Sequence, residues 1–298
     1  MPSTSHAVGV PPSRSHALPL LCAALAAASF IGMDSVIKLM STRFDALQLS
    51  FFRFAGGSVF AVALWLWKRS ALPSRAAWRL HAVRSALLLC SLIGYFFALT
   101  QLPLVQAVTI SYLAPIFVAV LSIPVLKERP AGSIWLALSA GLGGVLVSVL
   151  PELRASLAGD NSARLLGMVS AAAAALSFAG VMLLARRQSA TDSLWTILLV
   201  QSLLPLLLLA GPAAWRWRPI QPGDIALILL AGGLGTLGLL FLTRAFQQLE
   251  ASRVAPLEYT GLIWATLLGY LLFGEVPTLS TAASALLIVG GCLLLLRR

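Results

Sequence analysis

Charge is scarce in this sequence. Asp, Glu, Lys and Arg make up 10% of its 298 residues, where soluble domains carry about 25%. With 59% hydrophobic residues and a mean hydropathy of +0.92, the chain has too little polar surface to fold in water. Lipid has to be its solvent. Acidic residues are scarcer than basic ones, ten against 21, which leaves a net charge of +11. A nucleic-acid footprint would gather those cations on one wet face. Here they punctuate apolar runs, as membrane-flanking charges do, so nucleic acid is not an expected partner.

Residues that carry chemistry are few as well. The three histidines, His6, His16 and His81, fall in the N-terminal tail or in a basic loop. The three cysteines, Cys22, Cys90 and Cys292, each sit in an apolar run without a CxxC, which gives no metal site and no redox pair. There is no HExxH and no GxSxG. Ser35-x-x-Lys38 lacks the signatures that accompany a Ser–Lys nucleophile. Gly233-x-Gly235-x-x-Gly238 has dinucleotide-loop spacing but lies inside an apolar run with no strand before it, where small residues serve close helix packing. Neither an enzyme nor a cofactor nor a metal is expected.

Long apolar runs are what the sequence has in quantity. A spanning helix needs about 17–25 mostly apolar residues, and ten segments qualify. The first five run from Leu18 to Leu39, Ala46 to Trp67, Arg84 to Thr100, Leu104 to Leu126 and Gly132 to Leu150. The second five run from Leu165 to Ala185, Ser193 to Pro212, Ile225 to Ala245, Val254 to Phe273 and Leu279 to Leu296. Arg14 ahead of the first run imitates a secretory signal, but nine further runs favour a retained span. Residues 1–17 read as a disordered cytoplasmic tail and 151–164 as a polar linker. With the N-terminus in the cytoplasm, fourteen Lys and Arg residues fall inside and six outside, Arg53 being left within a span. The excess of positive charge inside places both termini in the cytoplasm of a multi-pass protein of the cytoplasmic (inner) membrane.

The two halves resemble each other. A shift of 147 aligns Gln101-Leu102 with Gln248-Leu249, Tyr112 with Tyr259, Glu128 with Glu275 and Pro130 with Pro277. A shift of 148 aligns Ser29-Phe30 with Ser177-Phe178, Gly32 with Gly180 and Lys38 with Arg186. Five spans per repeat is an odd number, so the second repeat (165–298) lies upside down relative to the first (18–150). The expected fold is an all-α integral membrane protein of ten transmembrane helices in two inverted five-helix repeats, the architecture of alternating-access carriers.

The stretch Ala107-Val108-Thr109-Ile110-Ser111-Tyr112-Leu113-Ala114-Pro115, closing on Leu126-Lys127-Glu128, has a partner running from Ala251-Ser252-Arg253-Val254-Ala255-Pro256-Leu257 to Phe273-Gly274-Glu275. With the opening Asp34-Ser35-Val36-Ile37-Lys38 and Phe51-Phe52-Arg53, these motifs resemble the drug/metabolite transporter superfamily, EamA type, over nearly the whole chain. The resemblance implies ten helices around a central cavity and movement of small organic metabolites. Members similar at the opening carry S-adenosylmethionine-like compounds, riboflavin or amino acids. The expected function is therefore secondary transport of an amino-acid-like, nucleoside-like or vitamin-like metabolite. The alternative is a non-transporting membrane protein, either an intramembrane enzyme or a sensor subunit. The partners are the substrate and the bilayer, and a homodimer is an open arrangement.

A charge at the bilayer centre costs at least about 2.5–3.5 kcal/mol, so charged residues within spans face a cavity or a partner. Asp34 and Lys38, four apart on one helix face, can pair, and Lys38 can also snorkel to the headgroups. Arg53 is too deep to snorkel. It either clasps Asp34 or offers its planar fork to a carboxylate or phosphate. Glu258 and its repeat counterpart Ser111 are expected to line the cavity, Glu258 being the candidate for proton coupling. Tyr95, Thr109, Tyr112, Gln201, Tyr259 and Trp264 lie near the same level and can stack on or hydrogen-bond a substrate, or else pack between helices. Arg244 reads as a topology charge that could neutralise Glu258. Glu128 and Glu275 are expected to cap or clasp helix ends. With Asp34 given to Lys38 and Arg244 to Glu258, Arg53 remains as the unmatched cation.

Overall fold

The computed structural model describes residues 17–127, 162–249 and 254–276, with scattered helical positions within 132–147 and 279–290. The predicted fifth and tenth spans, the tail, the linker and Glu128 lie largely or wholly outside the described residues. Those described form helices α1 (Ala17–Met40), α2 (Ala46–Lys68), α3 (Arg75–Gln101), α4 (Leu104–Ser111), α5 (Leu113–Leu126), α6 (Ser162–Ser189), α7 (Leu194–Trp215) and α8 (Pro222–Gln248). A 3₁₀ segment, Ala255–Thr260, then leads into α9 (Gly261–Phe273). Seven stretches are long and apolar enough to cross a membrane, α4 and α5 together counting as one, and α9 is a shorter apolar helix.

Local chemistry sets the helix ends. Asp45, Ser74 and Ser193 cap α2, α3 and α7 by accepting a hydrogen bond from the backbone N–H three residues on. Ser74 is also why α3 starts nine residues before the predicted Arg84. The first turns of α3 are amphipathic, with Arg75 and Arg79 outward and His81, Arg84 and Ser85 buried. His81 is thus a core residue of a helix and not a loop residue. The fourth predicted span is broken at Tyr112, because the ring of Pro115 displaces the carbonyl four residues back, that of Ser111.

The halves match element by element. Exchanging each helix of one half for its counterpart turns the α1–α8 packing into α6–α3, the α2–α8 packing into α7–α3, and the α1–α9 packing into α6–α5, while α2–α7 maps onto itself. Caps follow the same rule. Leu102 and Leu249 close α3 and α8 in extended conformation, each donating to the carbonyl four residues back. Lys127 and Gly274 close α5 and α9 in the left-handed region, at φ 56° and 65°. The break inside α4–α5 recurs as the 3₁₀ segment before α9.

The glycines of the GxGxxG run make room for side chains of neighbouring helices, a Cβ on Gly233, Gly235 or Gly238 meeting Phe60, Arg53 or Phe30, and Gly232 just before them brings two backbones together. α2 and α8 touch backbone to backbone at Gly56 and Gly232, where a Cβ on Gly232 would come within 2.2 Å of the Gly56 carbonyl carbon.

Candidate functional site

A cavity of about 160 Å³ lies among α1, α2, α3, α4–α5, α6, α7, α8 and the 3₁₀ segment. Much of its lining comes in repeat-related pairs: Ala27 with Ala175, Phe30 with Phe178, Met33 with Val181, Asp34 with Met182, Arg53 with Gln201, Leu92 with Leu239, Tyr95 with Leu242, and Ser111 with Glu258. The cavity therefore sits where the two halves meet, with each half supplying many of the same positions.

The pairing is even in position and uneven in chemistry. Asp34, Arg53 and Tyr95 are all buried and converge at one end, whereas their counterparts are Met182, Gln201 and Leu242. The Tyr95 hydroxyl and the Arg53 guanidinium both act on the Asp34 carboxylate, the latter opposing its charge. The Arg53 guanidinium lies 4.6 Å from the centre of the Phe54 ring, a cation–π contact. Its space is left by glycines: a Cβ on Gly235 would lie 2.9 Å from Nη2 and one on Gly57 3.2 Å from Nη1. Arg53 Nε and both polar atoms of the Gln201 side chain are buried without a hydrogen-bond partner. Each such group costs about 1–3 kcal/mol when left unmet, and both Arg53 and Gln201 line the cavity.

Of the other residues singled out from the sequence, Ser111, Tyr112 and Glu258 line the cavity. Ser111 Oγ is engaged with the Val108 carbonyl at 2.7 Å. No charged side chain among the described residues acts on Glu258, and Arg244, expected to neutralise it, is exposed on α8. Thr109 is buried away from the cavity. Trp264 is 42% exposed on the outer face of α9, among the apolar side chains open to lipid. The Tyr259 side chain lies outside the described residues.

Lys38 does not pair with Asp34. It forms a 3.4 Å ion pair with Glu275 and donates to the Leu102 carbonyl at 2.7 Å, at the end of its helix and away from the cavity. Glu275 Oε1 also accepts from the backbone N–H of Leu104 at 3.1 Å, capping α4. Release of Asp34 from Lys38 leaves it to Arg53, so Arg53 is not the unmatched cation.

That cation is Arg84, which sequence reasoning assigned to the membrane surface. Arg84 is 2% exposed and lines the cavity, and its Nη1 donates to Gln188 Oε1 at 2.6 Å. Helical spacing carried the signal: Arg84, Leu88, Ser91, Leu92 and Tyr95 recur every three or four residues and all line the cavity.

A cavity shared between matched halves of an all-helical chain narrows the family, and the sequence comparison decides it. The profile of the EamA-like transporter family matches residues 17–150 and again 165–297. The chain belongs to this family. It is 31% identical over 281 residues to a pseudopaline exporter of Pseudomonas aeruginosa, covering 93% of this chain and 95% of the relative. It is 26% identical over 258 residues to an S-adenosylmethionine uptake transporter of Rickettsia conorii, covering 86% and 84%. A crystal structure with 21% identity shares the fold, at a TM-score of 0.69 over 91% of this chain and 97% of that one. This EamA-like protein is a multi-pass transporter of a small metabolite.

Proposed function

We propose that the protein moves a zwitterionic small metabolite across the cytoplasmic membrane by alternating access between two inverted five-helix repeats, residues 18–150 and 165–298. Both termini are cytoplasmic in this reading, and the chain has ten spans. The observation that carries it is the meeting of Asp34, Tyr95 and Arg53 at one part of a cavity whose walls are mostly apolar. A substrate carboxylate takes the Arg53 fork, and a substrate amine takes Asp34 and the Tyr95 hydroxyl. The apolar walls, with Phe30, Phe178 and Met182, receive the body of the molecule. Exchanging the internal Arg53–Asp34 attraction for two substrate contacts keeps both charges matched, so neither residue is left unpaired in lipid. Glu258, on the opposite half and without a charged neighbour among the described residues, is the group placed to take up and release a proton.

S-adenosylmethionine, the substrate in the name of the Rickettsia relatives, carries an amine and a carboxylate on one carbon and is the first compound to test. Uptake of labelled compound into proteoliposomes, with its mass checked after transfer, separates carriage from chemical conversion. Arg53→Gln is expected to lower transport at least tenfold with folding kept. Glu258→Gln is expected to flatten the pH dependence of transport. Unchanged kinetics in both variants would assign these charges to structure alone.

A further inference from the structure

Three buried polar side chains gather at the N-terminal end of α3, away from Arg53. They are Arg84, Gln188 and His81. Arg84 Nη1 is bonded to Gln188 Oε1 and His81 Nε2 meets Asp192 at 3.0 Å. Two further donors are idle: Arg84 Nε and Gln188 Nε2 are buried with no hydrogen-bond partner. Asp192 is engaged by His81, and no acidic side chain among the described residues compensates Arg84. A guanidinium shielded from water and bonded only to a neutral amide is a costly arrangement. It is understandable where an anion visits.

Arg84 and Tyr95 lie eleven residues apart on one continuous helix. Eleven residues are three turns, so both side chains emerge on the same face, roughly 16 Å apart along the axis at 1.5 Å per residue. Both line the cavity. Tyr95 marks the level of Asp34 and Arg53, since both Tyr95 and Arg53 act on the Asp34 carboxylate and all three line the cavity. Leu88, Ser91 and Leu92 fill the interval on the same face. A single carboxylate is far smaller than that separation, so it does not touch both guanidinium groups at once.

We propose that Arg84, assisted by Gln188, is a second carboxylate station of the cavity, which holds the substrate's anionic end at the side opposite Arg53. The proposal rests on the transport reading above and adds a place to it. The substrate carboxylate is held at Arg53 when the cavity opens to one side and at Arg84 when it opens to the other. Its amine is held only at the first station, because the second has no uncommitted carboxylate among the described residues, Asp192 being engaged by His81. The first station selects a zwitterion, and the second reads the carboxylate alone.

Propionate, a small carboxylate that suits the apolar walls, is the probe. The detergent-solubilised protein is titrated with propionate against chloride at constant ionic strength, and its stability is followed by thermal unfolding. A ligand bound only to the folded state stabilises in proportion to the logarithm of its concentration at saturation, with a slope set by the number of sites. Wild type is expected to show twice the slope of either Arg53→Gln or Arg84→Gln, and the double variant is expected to show none. Arg84→Lys keeps the charge and is expected to retain most of the wild-type response, which covers an Arg84→Gln variant that does not fold. A full response in Arg84→Gln, or a response abolished by Arg53→Gln alone, overturns the second station and leaves the transport reading intact. No response in wild type overturns carboxylate binding at both stations.

Discussion

The backbone contact between α2 and α8 gives a prediction whose size follows from the geometry. A Cβ added at Gly232 would lie 2.2 Å from the Gly56 carbonyl carbon and from the Gly57 nitrogen. Carbon atoms settle at about 3.5–4.0 Å, so the two helices must part by roughly 1.3 Å or more. Neither side can yield by rotating a side chain, because both contacting atoms belong to the main chain. A radial gap of about 0.5–1 Å already forfeits a quarter to a half of each dispersion contact, and this gap would run along the α2–α8 seam. Overpacking of this kind costs about 1–3 kcal/mol, occasionally more, and the rigid geometry points to the upper end. Gly211 of α7 supplies the control, since nothing lies within 4 Å of a Cβ there. Gly to Ala gains about 1 kcal/mol of helix propensity at an interior site, somewhat less at Gly211 because Pro212 follows it, so the difference between the two is at most understated as a measure of the packing. Unfolding of the purified variants by titration with sodium dodecyl sulfate is expected to place Gly232→Ala about 3 kcal/mol below Gly211→Ala. Equal stability of the two would mean that α2 and α8 do not meet at these glycines, and the space that holds Arg53 beside Gly235 would need another explanation.

Removal of either partner in the Lys38–Glu275 clasp should lower stability by about 1–3 kcal/mol. Lys38→Glu with Glu275→Lys should recover part of that loss, and no recovery would show that the Leu102 and Leu104 backbone contacts dominate. Lys127→Gly should stabilise the protein and Gly274→Ala destabilise it, each by about 1 kcal/mol in thermal unfolding, because both positions hold left-handed backbone. In a cysteine-free background, Thr42→Cys in the α1–α2 turn should react with an impermeant thiol reagent from outside. Thr191→Cys in the α6–α7 turn should react only from the cytoplasm, and labelling of both from one side would refute the inversion of the halves.

Much of the helical framework was legible because lipid leaves the chain so few options. Runs such as Ala46 to Trp67 and Ser193 to Pro212 fall within one to three residues of α2 and α7, since backbone groups in hydrocarbon must be satisfied inside a helix. The misread residues share one cause. A sequence shows which residues are charged but not what each one faces across the cavity. Lys38 is four residues from Asp34, the right spacing for a pair, yet Glu275 reaches it across 237 positions of sequence. Arg84 stands at the edge of the predicted third span, where the excess of positive charge assigns it to the inner membrane surface. Ser74 extends α3 far enough to carry Arg84 into the interior. Trp264 and Thr109 illustrate the limit from the other side, because hydropathy is blind to which face of an apolar helix meets lipid, core or cavity.

The uneven chemistry of the evenly built cavity bears on the transport cycle proposed above. A carrier that rocks between two mirror arrangements needs them close in energy, and matched caps, breaks and helix seams provide that. Left-handed closures at Lys127 and Gly274 and interruptions at Tyr112 and at the 3₁₀ segment occur at equivalent positions. If the polar groups were matched as well, the substrate would bind equally at both ends, and the two ends would differ in nothing but direction. They are not matched. Asp34 faces Met182 across the repeat relation, Tyr95 faces Leu242, Arg53 faces Gln201, and Arg84 corresponds to Ala231, which does not line the cavity. The cycle then has one station that grips both charges of a zwitterion and one that grips a single charge, so affinity differs between the two openings. At equilibrium this asymmetry cannot drive net movement, since it alters entry and exit rates together. It can only set how tightly each side holds its substrate, and a gradient, the substrate's own or that of a coupled ion, must supply direction. Glu258, the one carboxylate of the cavity with no cation acting on it among the described residues, is where that coupling would enter.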